Sequence, residues 1–172
     1  KVNIELILHQ IKSKMKPEVL QQLATEFGSP LYVYDAEKIA FQYNRLQNAF
    51  SKVERFKVHY AVKALSNVSV LKYLKSLGSG LDTVSLQEVQ LGLHAGVEPK
   101  DIIYTPNGVS MEEIEEVAQL GVQINIDNLS ILEQFGTKHP NVPVCIRINP
   151  HVMAGGNANI SVGHIDSKFG IS

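Results

Sequence analysis

The sequence predicts an α/β fold, a (β/α)8-type barrel of which about five strand–helix units are present. Short β-rich runs recur at steps of roughly 20 to 25 residues, and a helical segment follows each run. Strands that alternate with helices predict a parallel sheet with right-handed crossovers. The first and last runs also alternate polar with apolar residues, which favours a barrel over a doubly wound sheet covered by helices on both faces.

The first 55 residues predict helices outside the barrel units. Apolar residues recur at helical spacing from Ile4 to Phe27, with an interruption at Pro17 and a stop at Gly28. The two predicted elements that follow are a short strand over residues 31–34 and a helix capped by Asp35 that reaches Phe50.

Residues 56–172 carry the barrel units. The predicted strands are Phe56–Val62, Leu81–Val84, Ile102–Thr105, Gln123–Ile126 and Val144–Ile148. The predicted helices are Asn67–Leu77, Ser85–His94, Ser110–Leu120 and one that begins at Asn128. A closed barrel of eight units takes about 250 residues, so we expect three strands to be absent and the chain to be the front portion of a larger protein.

Alternation places polar side chains on the lumen face of the barrel. In the first strand His59, Ala61 and Lys63 share one face, and in the last strand Arg147 and Asn149 do so. Barrel active sites lie at the carboxyl ends of the strands, where Lys63 stands. A lysine that loses hydration there gives up its proton more easily and can form a Schiff base. The alternative is a surface lysine whose strand ends one residue earlier.

Composition excludes several function classes. Lys plus Arg is 16 and Asp plus Glu is 17, so the net charge of −1 argues against a basic nucleic-acid surface. The single cysteine, Cys145, is expected to be a small buried core residue, and no spacing typical of a metal site occurs. No apolar run approaches the length of about 18 residues that a membrane span needs. We therefore expect a cytoplasmic protein without a metal, a membrane or a nucleic-acid partner.

Several polar residues have a structural and a functional interpretation. Ser85-Leu86-Gln87-Glu88 and Ser110-Met111-Glu112-Glu113 both match the capping box of a helix start, which accounts for these residues without a site role. Asn107 either lines the pocket or belongs to a turn. His59 is either a packed core histidine or a residue that tunes Lys63.

Four stretches resemble the group IV amino-acid decarboxylases, which bind pyridoxal phosphate, include the ornithine, arginine and diaminopimelate decarboxylases and are relatives of alanine racemase. The stretch Tyr60–Leu65, followed by Val70-Leu71, Leu74 and Gly78, resembles the family's cofactor-attachment signature. Gly80–Ser85 with Glu88, and Arg147–Pro150, are similar to its second-strand and fifth-strand motifs. Ile160–Gly163 and Asp166–Ile171 are most similar to the diaminopimelate decarboxylase branch, and the resemblance covers about residues 30–172.

The resemblance implies a pyridoxal-phosphate-dependent carboxy-lyase in which Lys63 attaches the cofactor. Ala61, Asp82 and Arg147 are then cofactor-binding residues, and charge balance beside Lys63 also suggests the latter two. The implied reaction converts meso-diaminopimelate to L-lysine and carbon dioxide, a step of lysine biosynthesis. The family also implies a homodimer, with Lys168 either near its interface or solvated, and a β-domain beyond this chain.

Two alternatives remain open. Asn157, Val162 and Leu86-Gln87 stand where close relatives commonly carry histidine, threonine and Gly-Gly, which weakens the substrate assignment. Ornithine, arginine or carboxynorspermidine are the other family substrates. The second alternative is a binding or regulatory protein that keeps the barrel without catalysis.

Overall fold

The computed structural model of the chain describes residues 15–152, 163 and 168–172. Contacts within the chain divide it after Val53 into an N-terminal unit and a larger unit that begins at Glu54. The predicted helical stretch before residue 15 and most of the motif around residues 160–167 lie outside the described residues.

The described part of the N-terminal unit, from residue 15 onward, contains two helices that begin and end close to the predicted positions. Pro17 is the first residue of α1, where the absence of an N–H costs nothing, and Gly28 ends this helix with φ of 86°. Asp35 caps α2, since its Oδ1 accepts from the backbone N–H three residues on, at 3.0 Å. The bounds are α1 Pro17–Phe27 and α2 Ala36–Ala49.

The strand predicted over residues 31–34 is wrong. These residues form no strand, and Tyr32 is 88% exposed. A run of β-forming residues needs the backbone groups of a neighbouring strand, and no described residue pairs with this segment.

The larger unit is built on a five-stranded parallel sheet whose strands lie in sequence order. The strands are β1 His59–Ala61, β2 Gly80–Thr83, β3 Ile102–Tyr104, β4 Gln123–Ile126 and β5 Val144–Ile146. The helices after the first four strands are α3 Val68–Ser76, α4 Leu86–His94, α5 Met111–Gln119 and α6 Leu129–Lys138.

The strand order decides between the two α/β architectures. Right-handed crossovers between strands in sequence order place every helix on the same face of the sheet, whereas a doubly wound sheet reverses its order partway. The predicted α/β barrel is therefore confirmed for the units present, with one face covered by helices and the other open.

Strand register assigns the side chains to the two faces. The covered face carries the core residues Leu81, Ile102, Tyr104 and Ile124, each fully buried, which pack with Leu71, Val89, Val117 and Phe135. On the open face, Asp82 pairs with Ala61 and with Ile103, and Asn125 pairs with Cys145. The polar lumen face that alternation predicts is this open face.

The first and last strands are shorter than predicted. β1 ends at Ala61, because Val62 is fully buried in the core and begins a 3-10 turn over Val62–Ala64. After β5, Ile148 pairs in parallel with Ile171. The prediction that Cys145 is a buried core residue is wrong: the thiol is exposed, because the described residues leave this face of β5 uncovered.

Candidate active site

Lys63 stands at the carboxyl edge of the sheet. It is the second residue of the 3-10 turn that directly follows β1, and its side chain is exposed. The strand thus ends before Lys63, as the surface-lysine alternative requires, yet the residue remains at the edge where barrel sites form. Within the described part of the chain its amine makes no hydrogen bond or ion pair.

Ala61 and Asp82 lie side by side on the open face. The β1–β2 register pairs them directly, and both are half-buried. Because parallel strands in register present paired residues on the same face, the methyl group of Ala61 leaves space beside the Asp82 carboxylate. The structure thereby brings Ala61, Asp82 and the turn that carries Lys63 to one side of the sheet.

The Asp82 carboxylate accepts a hydrogen bond that the sequence did not reveal. Thr105 Oγ1 donates to Asp82 Oδ1 at 2.8 Å, and Asn125 Nδ2 donates to Thr105 Oγ1 at 3.0 Å. The side chains come from β2, from the residue after β3 and from β4. Strand alternation could have placed both side chains on the open face. Thr105 and Asn125 each lie two residues after an open-face position of the strand, and side chains two residues apart share a face.

Arg147 lies directly after β5, at the other side of the sheet. Its backbone N–H donates to the carbonyl of Ile126 at 2.8 Å, and its guanidinium carbon lies 4.5 Å from the centroid of the Phe169 ring. No described carboxylate pairs with this guanidinium, and no contact in the described residues joins it to Lys63 or Asp82.

His59 is packed on the open face near the amino end of β1. Its Nδ1 lies 3.4 Å from the Leu81 carbonyl oxygen, and its ring covers Gly80, where an added Cβ would stand 2.6 Å from Nδ1. Of the two interpretations of His59, these contacts support the packed core histidine and not the residue that tunes Lys63.

The first predicted capping box is confirmed. Glu88 N donates to Ser85 Oγ at 3.2 Å, and the Glu88 carboxylate accepts from the backbone N–H of Val84 at 2.9 Å. Both side chains are engaged at the start of α4, which is the structural role that the capping-box interpretation predicts.

The second capping box forms only in part. Ser110 Oγ accepts from Glu113 N at 3.2 Å, but the Glu113 carboxylate does not return to its own helix start. It accepts from the Tyr104 hydroxyl at 2.7 Å and from the first N–H of α4, on Leu86, at 3.1 Å. Burial, and then the Glu113 carboxylate, raise the pKa of Tyr104, so its hydroxyl stays protonated and donates.

A cavity of about 490 Å³ opens at the carboxyl edge beside the loops after β3 and β4. Asn107, Asp127 and Lys168 are among its lining residues, and Asn107 Nδ2 donates to Asp127 Oδ2 at 2.9 Å. Asn107 therefore lines a pocket, one of its two predicted roles. Lys168 is exposed with its amine 5.2 Å from the Phe169 ring centroid, and its interface role stays a prediction.

The described residues show neither a metal site nor a membrane-spanning helix. They contain no group of three or more His, Cys, Asp or Glu side chains that could hold a metal ion. None of their helices has both the length and the apolar character that crossing a bilayer requires.

Comparison with protein families then decides the relationship. Residues 36–172 match the family described as pyridoxal-dependent decarboxylase, pyridoxal binding domain. The chain belongs to the pyridoxal-dependent decarboxylases. Pyridoxal phosphate, the cofactor predicted from the sequence, is the cofactor of this family.

Individual relatives agree with this membership. The diaminopimelate decarboxylase of Methanothermobacter thermautotrophicus is 41% identical over 152 residues, which are 87% of this chain and 36% of that protein. The crystal structure of diaminopimelate decarboxylase from Helicobacter pylori complexed with L-lysine matches with a TM-score of 0.79 at 34% identity, over 88% of this chain and 39% of that one.

A lysine/ornithine decarboxylase from Vibrio vulnificus, complexed with putrescine, matches with a TM-score of 0.72 at 26% identity over 85% of this chain and 39% of that one. The chain therefore spans a little over a third of the length of these pyridoxal-dependent decarboxylases.

Proposed function

We propose that the protein converts meso-diaminopimelate to L-lysine and carbon dioxide with pyridoxal phosphate held at Lys63. The match of residues 36–172 to the pyridoxal binding domain carries this proposal. The substrate is supported by relatives that are 31–41% identical and are named diaminopimelate decarboxylases. It is also supported by the Helicobacter pylori enzyme, which was crystallised with L-lysine.

The open face offers a donor set that fits this cofactor. Pyridoxal phosphate brings an aldehyde, a ring phenolate and a phosphate, which call for an amine and for balanced charge nearby. Lys63 has an amine without a described partner, and Arg147 has a guanidinium without a described carboxylate. Asp82 has one carboxylate oxygen bonded to Thr105 and the other without a partner in the described residues.

Each of these residues has a defined task. The Lys63 amine would hold the cofactor through its aldehyde group. Ala61 admits the flat ring because its side chain is a single methyl group, while Asp82 and Arg147 balance charge beside it. When bound, pyridoxal phosphate accepts the electron pair left on the α-carbon as carbon dioxide departs.

Replacement of Lys63 tests the proposal directly. In the protein as its source produces it, Lys63→Ala is expected to abolish both the absorbance of lysine-bound cofactor and the formation of lysine from diaminopimelate. Lys72→Ala is the matched control, because Lys72 is an exposed lysine on α3, and it should retain both signals. Formation of lysine by the Lys63→Ala variant would contradict the mechanism.

Ornithine is a second candidate substrate, which the match to the lysine/ornithine decarboxylase of Vibrio vulnificus supports. Carbon dioxide release from diaminopimelate, ornithine, arginine and carboxynorspermidine, each measured with the same preparation, separates these candidates. The highest kcat/KM identifies the substrate. Release from none of the four would favour the non-catalytic alternative.

We further propose that the protein acts as a cytoplasmic homodimer. The single cysteine supports a reducing compartment, and the dimer rests on the resemblance to the family. Light scattering on the purified protein should give twice the mass of one subunit. A mass equal to one subunit would contradict the dimer.

A further inference from the structure

A chain of two hydrogen bonds crosses the open face and ends on Asp82. It runs from Asn125 on β4 to Thr105 after β3 and from there to Asp82 on β2, with lengths of 3.0 and 2.8 Å. The covered face of the same strands holds fully buried apolar residues at corresponding positions, such as Leu81 and Ile124. The polar link is therefore a property of the lumen side.

The chemistry of the three groups fixes the direction of both bonds. An ionised carboxylate only accepts, so the Thr105 hydroxyl must give its one proton to Asp82. The lone pairs of that hydroxyl are then available to the Asn125 amide, which donates. The amide, the hydroxyl and the carboxylate thus form one ordered series in which each group donates to the next.

We propose that Thr105 and Asn125 are positioning residues that hold the Asp82 carboxylate in one orientation toward the cofactor. Thr105 occupies Oδ1 and leaves Oδ2 without a described partner, and Asp82 itself pairs with Ala61 in the sheet. Asn125 in turn fixes the rotation of the Thr105 hydroxyl. This inference rests on the proposed function, because it assigns a task within the same site.

The test measures the dissociation constant of pyridoxal phosphate by absorbance titration of the full protein as its source produces it. Thr105→Val keeps the shape of the side chain but cannot donate, and should weaken binding about tenfold, as expected for a lost hydrogen bond to a charged group. Thr105→Ser keeps the hydroxyl and should restore binding to within about twofold of the parent protein.

Thr83→Val is the matched control on the covered face. Thr83 is fully buried on β2, and its hydroxyl donates to the carbonyl of Ile103 at 2.9 Å, so this variant also loses one bond between β2 and β3. Its stability should fall while its cofactor affinity stays unchanged. A double-mutant cycle adds a second criterion: in the Asp82→Ala background, which lacks the acceptor, Thr105→Val should change the affinity by less than about twofold.

Asn125→Asp tests the outer bond and applies even if Thr105→Val fails to fold. A second carboxylate at position 125 would compete for the Thr105 proton, so we expect affinity to fall as it does in Thr105→Val. Unchanged affinity in Asn125→Asp, or equal affinity in Thr105→Val and Thr83→Val, overturns the inference and leaves the proposed function intact. If the Lys63→Ala variant still showed the absorbance of cofactor attached to a lysine side chain, the proposed function would be overturned instead.

Discussion

Gly80 has no space for a side chain. A Cβ at this position would stand 2.5 Å from the Asp101 carbonyl oxygen and 2.6 Å from His59 Nδ1. Backbone cannot move away cheaply, so Gly80→Ala should lower the free energy of unfolding by about 1–3 kcal/mol and displace the His59 ring. Denaturant unfolding measures the loss of stability.

Gly136→Ala is the matched control for that substitution. Gly136 lies within α6, where an added Cβ would meet no atom within 4 Å, and alanine is the better helix former. We expect a gain of about 0.5–1 kcal/mol. If both variants lost similar stability, the close approach at Gly80 would not be the cause.

The candidate site shows which residues a sequence can reveal. A local motif proposes Asp82 as a site residue, and the structure places it on the open face as alternation predicts, while its role toward the cofactor stays a prediction. Its partners Thr105 and Asn125 are 23 and 43 positions away, and their contact depends on the register of three strands. That register is set by packing of distant segments, so alternation could place both partners on the lumen face but could not predict their contact with Asp82.

At the scale of elements, helix starts were predicted more accurately than strands. Capping is local, since the side chain bonds an N–H two or three residues ahead. The predicted caps Asp35, Ser85 and Ser110 each accept such a bond, and so do Asn67 and Asn128, where two of the predicted helices begin. Residues 31–34 and Cys145 were predicted wrongly because strand formation and burial depend on partners far along the chain.

Glu113 connects α5 to the start of α4. Glu113→Ala should lower the free energy of unfolding by about 1–3 kcal/mol, because the Tyr104 hydroxyl is left in the core without its acceptor. The first N–H of α4, on Leu86, loses the same acceptor. Thermal or denaturant unfolding of the purified variants checks this value.

Two further variants test whether the loss of stability comes from the Glu113–Tyr104 hydrogen bond or from any change of a glutamate on α5. Glu116→Ala changes an exposed glutamate on the same helix and should stay within about 0.5 kcal/mol of the parent protein. Adding Tyr104→Phe to Glu113→Ala should recover part of the loss, since the stranded hydroxyl is then gone. Additive losses in the double variant would show that the two side chains are not coupled.

At the scale of the whole molecule, stability should depend on pH through an ion pair between α5 and α6. Lys138 Nζ donates to the Glu115 carboxylate at 2.8 Å. This bond lowers the pKa of Glu115 below its usual 4.5 and raises the pKa of Lys138 above its usual 10.5. A carboxyl group with a lowered folded-state pKa stabilises the fold above its unfolded-state pKa and loses that contribution as pH falls through the folded value.

The raised pKa of Lys138 acts in the opposite direction: its contribution is complete below the unfolded-state pKa and is lost as pH rises through the folded value. The pair should therefore stabilise the fold fully between the usual pKa values of the two groups. Denaturant unfolding of the parent protein and of Glu115→Gln should differ at neutral pH and converge in acid, whereas Glu116→Gln should show no such convergence. Because Lys138 is solvent-exposed and Glu115 is only half-buried, high salt should also reduce the difference at neutral pH. A difference that persisted unchanged into acid would mean that Glu115 stabilises the fold by packing and not by charge.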